Sequence, residues 1–260
     1  MIPKIIHYCW FGKNPIPEDA KKCIESWKAY CPDYQIMQWD EDNFDLNCND
    51  YVREAYECKK WAFITDYVRL FAIYIYGGVY MDTDVELLKN IDGFLSASAF
   101  TGLEDNKYPI TGILAGEKHS QLFEYLLSYY NDKHFLLPDG SMNLKTNVVT
   151  ITEMLSSKYN VKLDNSFQKF EDGFELYPSD FFCPKSHLTG KITLTDNTVC
   201  IHHFSGTWHS EEEKAADELK KKFSNICNCE LSVYLAQIII WIKYRGLIGT
   251  IKKIFKKREK

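Results

Sequence analysis

The chain has 260 residues, 45% hydrophobic and 26% charged, which suits a globular protein with one large core or two small ones. Its formal net charge of −5 hides an asymmetry: residues 243–260 hold eight Lys/Arg against Glu259 alone, leaving 23 Lys/Arg against 35 Asp/Glu in the rest. So acidic a body is unsuited to tracking a phosphate backbone, which argues against a nucleic-acid partner, and nine scattered cysteines without a C-x-x-C pair argue against a thiolate zinc site.

In chain order, "PKIIHYCWFG" (3–12) predicts a buried strand and turn, and the absence of a signal-peptide pattern around it predicts reduced cytosolic thiols. Residues 16–32 predict a helix, opened by Pro17, Glu18 and Asp19 and closed by Pro32, with Ile24, Trp27 and Cys31 on one face. A strand over 34–40 completes a βαβ unit, and so a parallel sheet. A short helix over 48–58 and a long one over 59–78 follow, the latter ending at Gly77-Gly78. Then come the strand "VYMD" and its continuation "VELL". Residues 100–117 read as a loop beside an acceptor cleft, with Gly102 to Asp105 and Thr111-Gly112 at its border. Helices are predicted over 119–131, 145–158 and 210–225, and strands over 173–177 and 198–204. The tail 231–256 is apolar but interrupted by Gln237, Lys243 and Arg245, and its uncharged core, 231–242, is too short for a membrane span. Helical phasing there places Leu247, Ile248, Ile251, Ile254 and Phe255 opposite lysines, as in a helix lying on an anionic membrane, or in a terminal helix packed on the domain.

The chemistry concentrates where strands end. Asp82 and Asp84 offer hard oxygen ligands to Mg²⁺ or Mn²⁺, although a D-x-D alone also describes a solvated turn. Asp66 and Arg69, at i and i+3 within the apolar "AFITDYVRLFAIY", put two charges on a core helix, costly as a mere salt pair. Trp10 ends the first strand, positioned to stack on a base or simply to fill core. The segment "IHHFSGTWHS" gathers His202, His203, Ser205, Thr207 and Trp208, and either histidine could meet a metal or phosphate. No P-loop, G-x-S-x-G, H-E-x-x-H or G-x-G-x-x-G occurs.

Together, "IPKIIHYCWFG", "SWKAYCPDYQIMQWDEDNFD", "KKWAFITDYVRLFAIYIYGGVYMDTDVELLK" and "IHHFSGTW" resemble the glycosyltransferases containing the DXD sugar-binding motif. That family includes yeast mannosyltransferases and bacterial capsule transferases, with the glucosylating clostridial toxins as distant relatives. Thr65 stands where the family usually has Ser, and Gly206-Thr207 where a Ser often precedes the Trp. The resemblance implies an α/β fold of GT-A type, a Rossmann-like mixed or parallel sheet flanked by helices. This transferase domain would cover residues 1–208, with C-terminal helices and a basic tail over 209–260. It implies a retaining transfer from a nucleotide-sugar, a UDP-sugar favoured, to a glycan or lipid-linked glycan in bacterial surface-polysaccharide synthesis. Trp10, Tyr80, Asp66, Arg69, Asp82 and Trp208 would bind the nucleotide-sugar, and Asp84, Asp82, His203 and Ser205 a Mn²⁺ or Mg²⁺ ion. Asp66, Arg69, Asp82 and Asp84 would carry the chemistry. The expected location is cytoplasmic, peripheral on the inner face of the membrane through 243–260. Two alternatives stand: a metal-dependent phosphatase of the haloacid-dehalogenase type, and a non-catalytic membrane-associated glycan-binding protein.

Overall fold

The computed structural model describes residues 1–104, 108–187, 189–206, 211–226, 235–247 and 249. The chain divides into two compact units, one of Met1–Pro184 with Thr193–His203, the other of Lys185–Ile192 with Phe204–Lys260.

In the first unit, β1 spans Ile5–Cys9, α1 Glu18–Tyr30, β2 Gln35–Trp39, α2 Asp50–Glu57, α3 Trp61–Tyr76, β3 Gly78–Met81 and β4 Val85–Leu87. Then come β5 Ala99–Leu103, β6 Pro109–Gly116, α4 Gln121–Leu127, α5 Asn147–Lys158, β7 Gln168–Lys169, β8 Phe174–Tyr177, α6 Ser179–Phe182 and β9 Cys200–His202. In the second unit α7 covers Glu211–Ile226, and residues 235–247 are helical.

A seven-stranded sheet runs β2-β1-β3-β6-β5-β8-β7. β1 pairs in parallel with β2 and β3, as the βαβ spacing predicts, whereas β6 enters antiparallel to both β3 and β5. The result is the mixed α/β sheet flanked by helices that the resemblance implies. The reading of 100–117 as a border loop is corrected: most of it is two central strands, with Gly102 inside β5 and Gly112 inside β6. β5 is buried along its whole length, so it shows no alternation of polar and apolar residues to mark it as a strand. The "VELL" continuation also leaves the main sheet. β4 pairs antiparallel with β9 in a separate two-stranded ladder and is clamped to α1, where the indole of Trp27 donates to the Val85 carbonyl (2.7 Å) and Leu87 N–H donates to Ser26 Oγ (2.9 Å).

The turn from α3 into β3 explains the glycine pair. Gly77 caps the helix at φ 69°, its N–H donating to Ile73 O (2.7 Å). Gly78 follows at φ 110°, where a Cβ would stand 2.6 Å from the Ile5 carbonyl oxygen. His7 seals the same corner: its Nε2 donates to Gly77 O (2.8 Å), and its Nδ1 accepts from the Trp39 indole (3.2 Å). Fully buried, it is held neutral, its pKa lowered by burial to about 4 despite the bond to Gly77.

Candidate functional site

β3 delivers its C-terminal end to a turn in which Asp82 N–H donates to Gly112 O (2.8 Å) and Val85 N–H donates to Asp82 O (2.9 Å). Asp82 is therefore fixed from the main sheet. Asp84 is fixed from the ladder: its carbonyl accepts from His203 N–H (2.9 Å), and Val85 pairs with His202. This register brings His202 Nε2 to 3.3 Å from Asp84 Oδ1. Asp82, Asp84 and His202 each offer one ligand atom, all within 4.8 Å of one another. Gly112 makes room for the imidazole, since a Cβ there would meet the ring at 3.1 Å. Burial disfavours a charged His202, but the carboxylates of Asp84 and Asp82 outweigh it and raise its pKa. Two carboxylates and an imidazole nitrogen are a donor set suited to Mg²⁺ or Mn²⁺, so the residues present fit the implied ion.

Behind this trio lies a buried charge network. Arg69, 7% exposed, faces Asp66 (Nη2–Oδ1 3.2 Å) and Asp82 (Nη1–Oδ1 3.5 Å), while its Nε donates to Thr65 O (3.2 Å). Its guanidinium lies 4.8 Å over the Tyr80 ring, and Tyr80 donates its phenolic O–H to Asp82 Oδ1 (2.8 Å). Burial would drive the Arg69 proton off, but Asp82, Tyr80 and Asp66 hold the guanidinium charged. Burial pushes Asp66 up to about 7, against the pull of Arg69 and with a further push from Asp82.

The structure thus brings together Asp66, Arg69, Tyr80, Asp82 and Asp84, and adds His202. His203 turns to the opposite side of the ladder, its Nε2 2.7 Å from Glu86 Oε2. Ser205 lies exposed in the other unit, and Trp208 falls outside the described residues. Trp10 is half-buried just past β1 and donates its indole N–H to Asn14 O (2.6 Å). Sequence reasoning passed over Trp61. It lines a cleft of about 450 Å³ with Gly12, Lys13, Asn14, Glu41, Tyr56 and Lys59. Gly12, at φ 94°, is required there because a Cβ would stand 2.7 Å from the Trp61 indole nitrogen. Trp61 and Arg69 are eight residues apart on α3, about 12 Å along the axis.

Residues 17–101 match the family model described as "Glycosyltransferase sugar-binding region containing DXD motif", a stretch that includes Asp66, Arg69, Tyr80, Asp82 and Asp84. Two curated proteins of Schizosaccharomyces pombe are similar. Inositol phosphoceramide mannosyltransferase 1 is 30% identical over 149 residues, 52% of this chain and 45% of that protein. Inositol phosphoceramide mannosyltransferase 2 is 28% identical over 173 residues, 64% of this chain and 49% of that protein. The chain therefore spans about half the length of the curated relatives it matches. Among solved structures, one titled "PaToxG Glycosyltransferase" matches at TM-score 0.47 and 18% identity, covering 61% of this chain and 70% of that one.

Proposed function

With residues 17–101 matching the sugar-binding region of the DXD glycosyltransferases, we propose that this chain transfers a sugar from a nucleotide-sugar to a glycan or lipid-linked glycan. The observation that carries this reading is the convergence of Asp82, Asp84 and His202 in front of the buried Asp66–Arg69 pair. A divalent cation held by the trio would neutralise a diphosphate and stabilise it as a leaving group. The residues themselves supply position. Arg69 braces both carboxylates, Tyr80 fixes the Asp82 rotamer, and the Asp66 carboxylate accepts from donor hydroxyls. The cleft lined by Trp61 is the proposed seat of the nucleobase, with Lys13 and Lys59 beside it.

The donor is proposed to be a UDP-sugar, and the transfer to retain configuration by front-side attack, the departing diphosphate taking the acceptor proton. The named relatives are mannosyltransferases of a sphingolipid, which supports a lipid-linked acceptor and makes GDP-sugars part of the test. A peripheral place on the inner face of a membrane, in surface-polysaccharide synthesis, completes the proposal. It is supported by the basic run 252–260 in the sequence and by exposed Leu235, Ile239 and Ile242 on helical residues 235–247, which also carry Lys243 and Arg245.

A panel of UDP- and GDP-sugars assayed with Mn²⁺ tests the reading. Asp84→Asn and His202→Ala are expected to lower transfer on the order of 100-fold or more, and chelator to do the same to the native protein. Undiminished transfer in both variants overturns it, and release of inorganic phosphate without nucleoside diphosphate points to the phosphatase instead.

A further inference from the structure

Between Tyr130 and α5 the chain runs over residues 131–146, where connections between helices ordinarily need about 2–8 residues. The excess is not slack. Leu136 bridges antiparallel to Met142, while Leu137 N–H donates to Ser141 O and Asn143 N–H to Phe135 O (both 2.8 Å), making a hairpin that turns at Pro138-Asp139-Gly140. Its root is set in the core: Phe135 is fully buried, its ring 5.0 Å from that of Phe63 and 5.7 Å from that of Tyr51. The carboxylate of Glu54, itself buried, accepts from Leu136 N–H (2.9 Å) and meets His134 Nδ1 at 2.7 Å. A carboxylate is costly to bury, and this one holds a surface hairpin in a single place. Phe63 comes about one turn before Asp66 on α3, so the hairpin stands on the rim of the carboxylate site.

What the hairpin presents is aliphatic. Leu144 is 57% exposed and Met142 39%, and alternation along the strand puts both on the face of half-buried Leu136, with Leu137 (40% exposed) on the other. Single exposed apolar side chains are ordinary, but a row of them on a pinned hairpin is a built surface. Leu and Met adapt to an alkyl chain and offer nothing to the hydroxyls of a sugar. At the foot of the hairpin Lys133 and Lys145 hold their Nζ atoms 5.2 and 5.8 Å from the centre of the Tyr129 ring. Lys145 is paired with Glu153, and exposed Lys133 is left to meet an anion. An aliphatic face with a cation at its foot complements an alkyl phosphate. The turn itself carries Asp139, whose carboxylate accepts from Ser141 N–H (2.9 Å), and a charge at the tip opposes its plunging into hydrocarbon. We propose that the hairpin is a subsite for the acceptor's lipid: Leu136, Met142 and Leu144 hold the first methylenes of its alkyl chain, and Lys133 its phosphate. This assignment rests on the reading of the chain as a transferase to a lipid-linked glycan, and it names the part of that acceptor the protein recognises beyond the sugar.

The test is calorimetric titration of the full chain with butyl, hexyl and octyl phosphate, each below its micelle-forming concentration. Native protein is expected to bind octyl phosphate about 10-fold or more tighter than butyl phosphate. Met142→Ser combined with Leu144→Ser, both at exposed positions, is expected to remove most of that gain. Leu137→Ser, on the opposite face, is expected to keep it, and Lys133→Ala to weaken every chain length alike. A gain that survives in the double variant, or no gain in the native protein, overturns the proposal. So does a loss in Leu137→Ser equal to that in the double variant, which would mark insertion of the whole tip into a lipid aggregate. Turnover of UDP- and GDP-sugars is measured on the same protein. No turnover with the gain intact fails the transferase reading and leaves the alkyl-phosphate site standing; turnover without the gain fails this assignment alone.

Discussion

At the scale of single residues, Arg69 and His7 show two ways of burying a titratable group. Arg69 is charged and shared between Asp66 and Asp82, and removing it leaves two carboxylates facing each other without a counter-charge. Arg69→Ala is therefore expected to destabilise the fold by about 3–5 kcal/mol, measured by urea unfolding, in addition to abolishing transfer. His7 is buried neutral, both ring nitrogens engaged, and a second proton would point at the Trp39 indole N–H. Its folded pKa of about 4 lies below the ordinary 6.5. The unfolded chain thus binds the proton first, and the stability contribution, intact above pH 6.5, is lost as pH falls towards 4. Between pH 7 and pH 5 this amounts to about 2 kcal/mol. Urea titrations at the two values should show it in the native protein, and a smaller change in His7→Gln.

At the scale of elements, the glycine stop is the point of least tolerance. Gly78→Ala would drive a Cβ against the Ile5 carbonyl at a φ of 110° and is expected to cost about 3 kcal/mol in thermal or urea unfolding. The alternative outcome, a native-like melting temperature, would mean that β1 and β3 can part without loss. The same corner shows what was legible in the sequence. The glycine pair, the apolar helix carrying Asp66 and Arg69, and the strand ending in Asp82 all have local signatures, and each is found where it was read. β5 lacks one, because a strand buried along its whole length has no period to find, and β6 carries two glycines that blur its pattern. The choice of His202 over His203 was hidden for a different reason. Adjacent residues on a strand face opposite sides, and only the pairing of Val85 with His202 decides which imidazole meets Asp84.

At the scale of the whole molecule, the charge asymmetry separates two tasks: an acidic body carries the carboxylate site, and the last 18 residues carry seven net positive charges. Deleting 243–260 is expected to abolish co-sedimentation with phosphatidylglycerol vesicles at low salt, each basic residue contributing about 1 kcal/mol, while turnover of a soluble donor persists. Binding to neutral vesicles that survives the deletion would argue against an electrostatic role for the tail.

The ladder of β4 and β9 carries one more consequence, for the order in which the protein is made. Asp82 and Asp84 leave the ribosome early, but His202 follows about 120 residues later, and closing so long a loop costs about 4 kcal/mol of chain entropy. A nascent chain short of residue 200 can assemble much of the main sheet and still offer a cation only two carboxylates. Tight cation binding would then mark the seating of the final strand, and would report that synthesis of the first unit is finished.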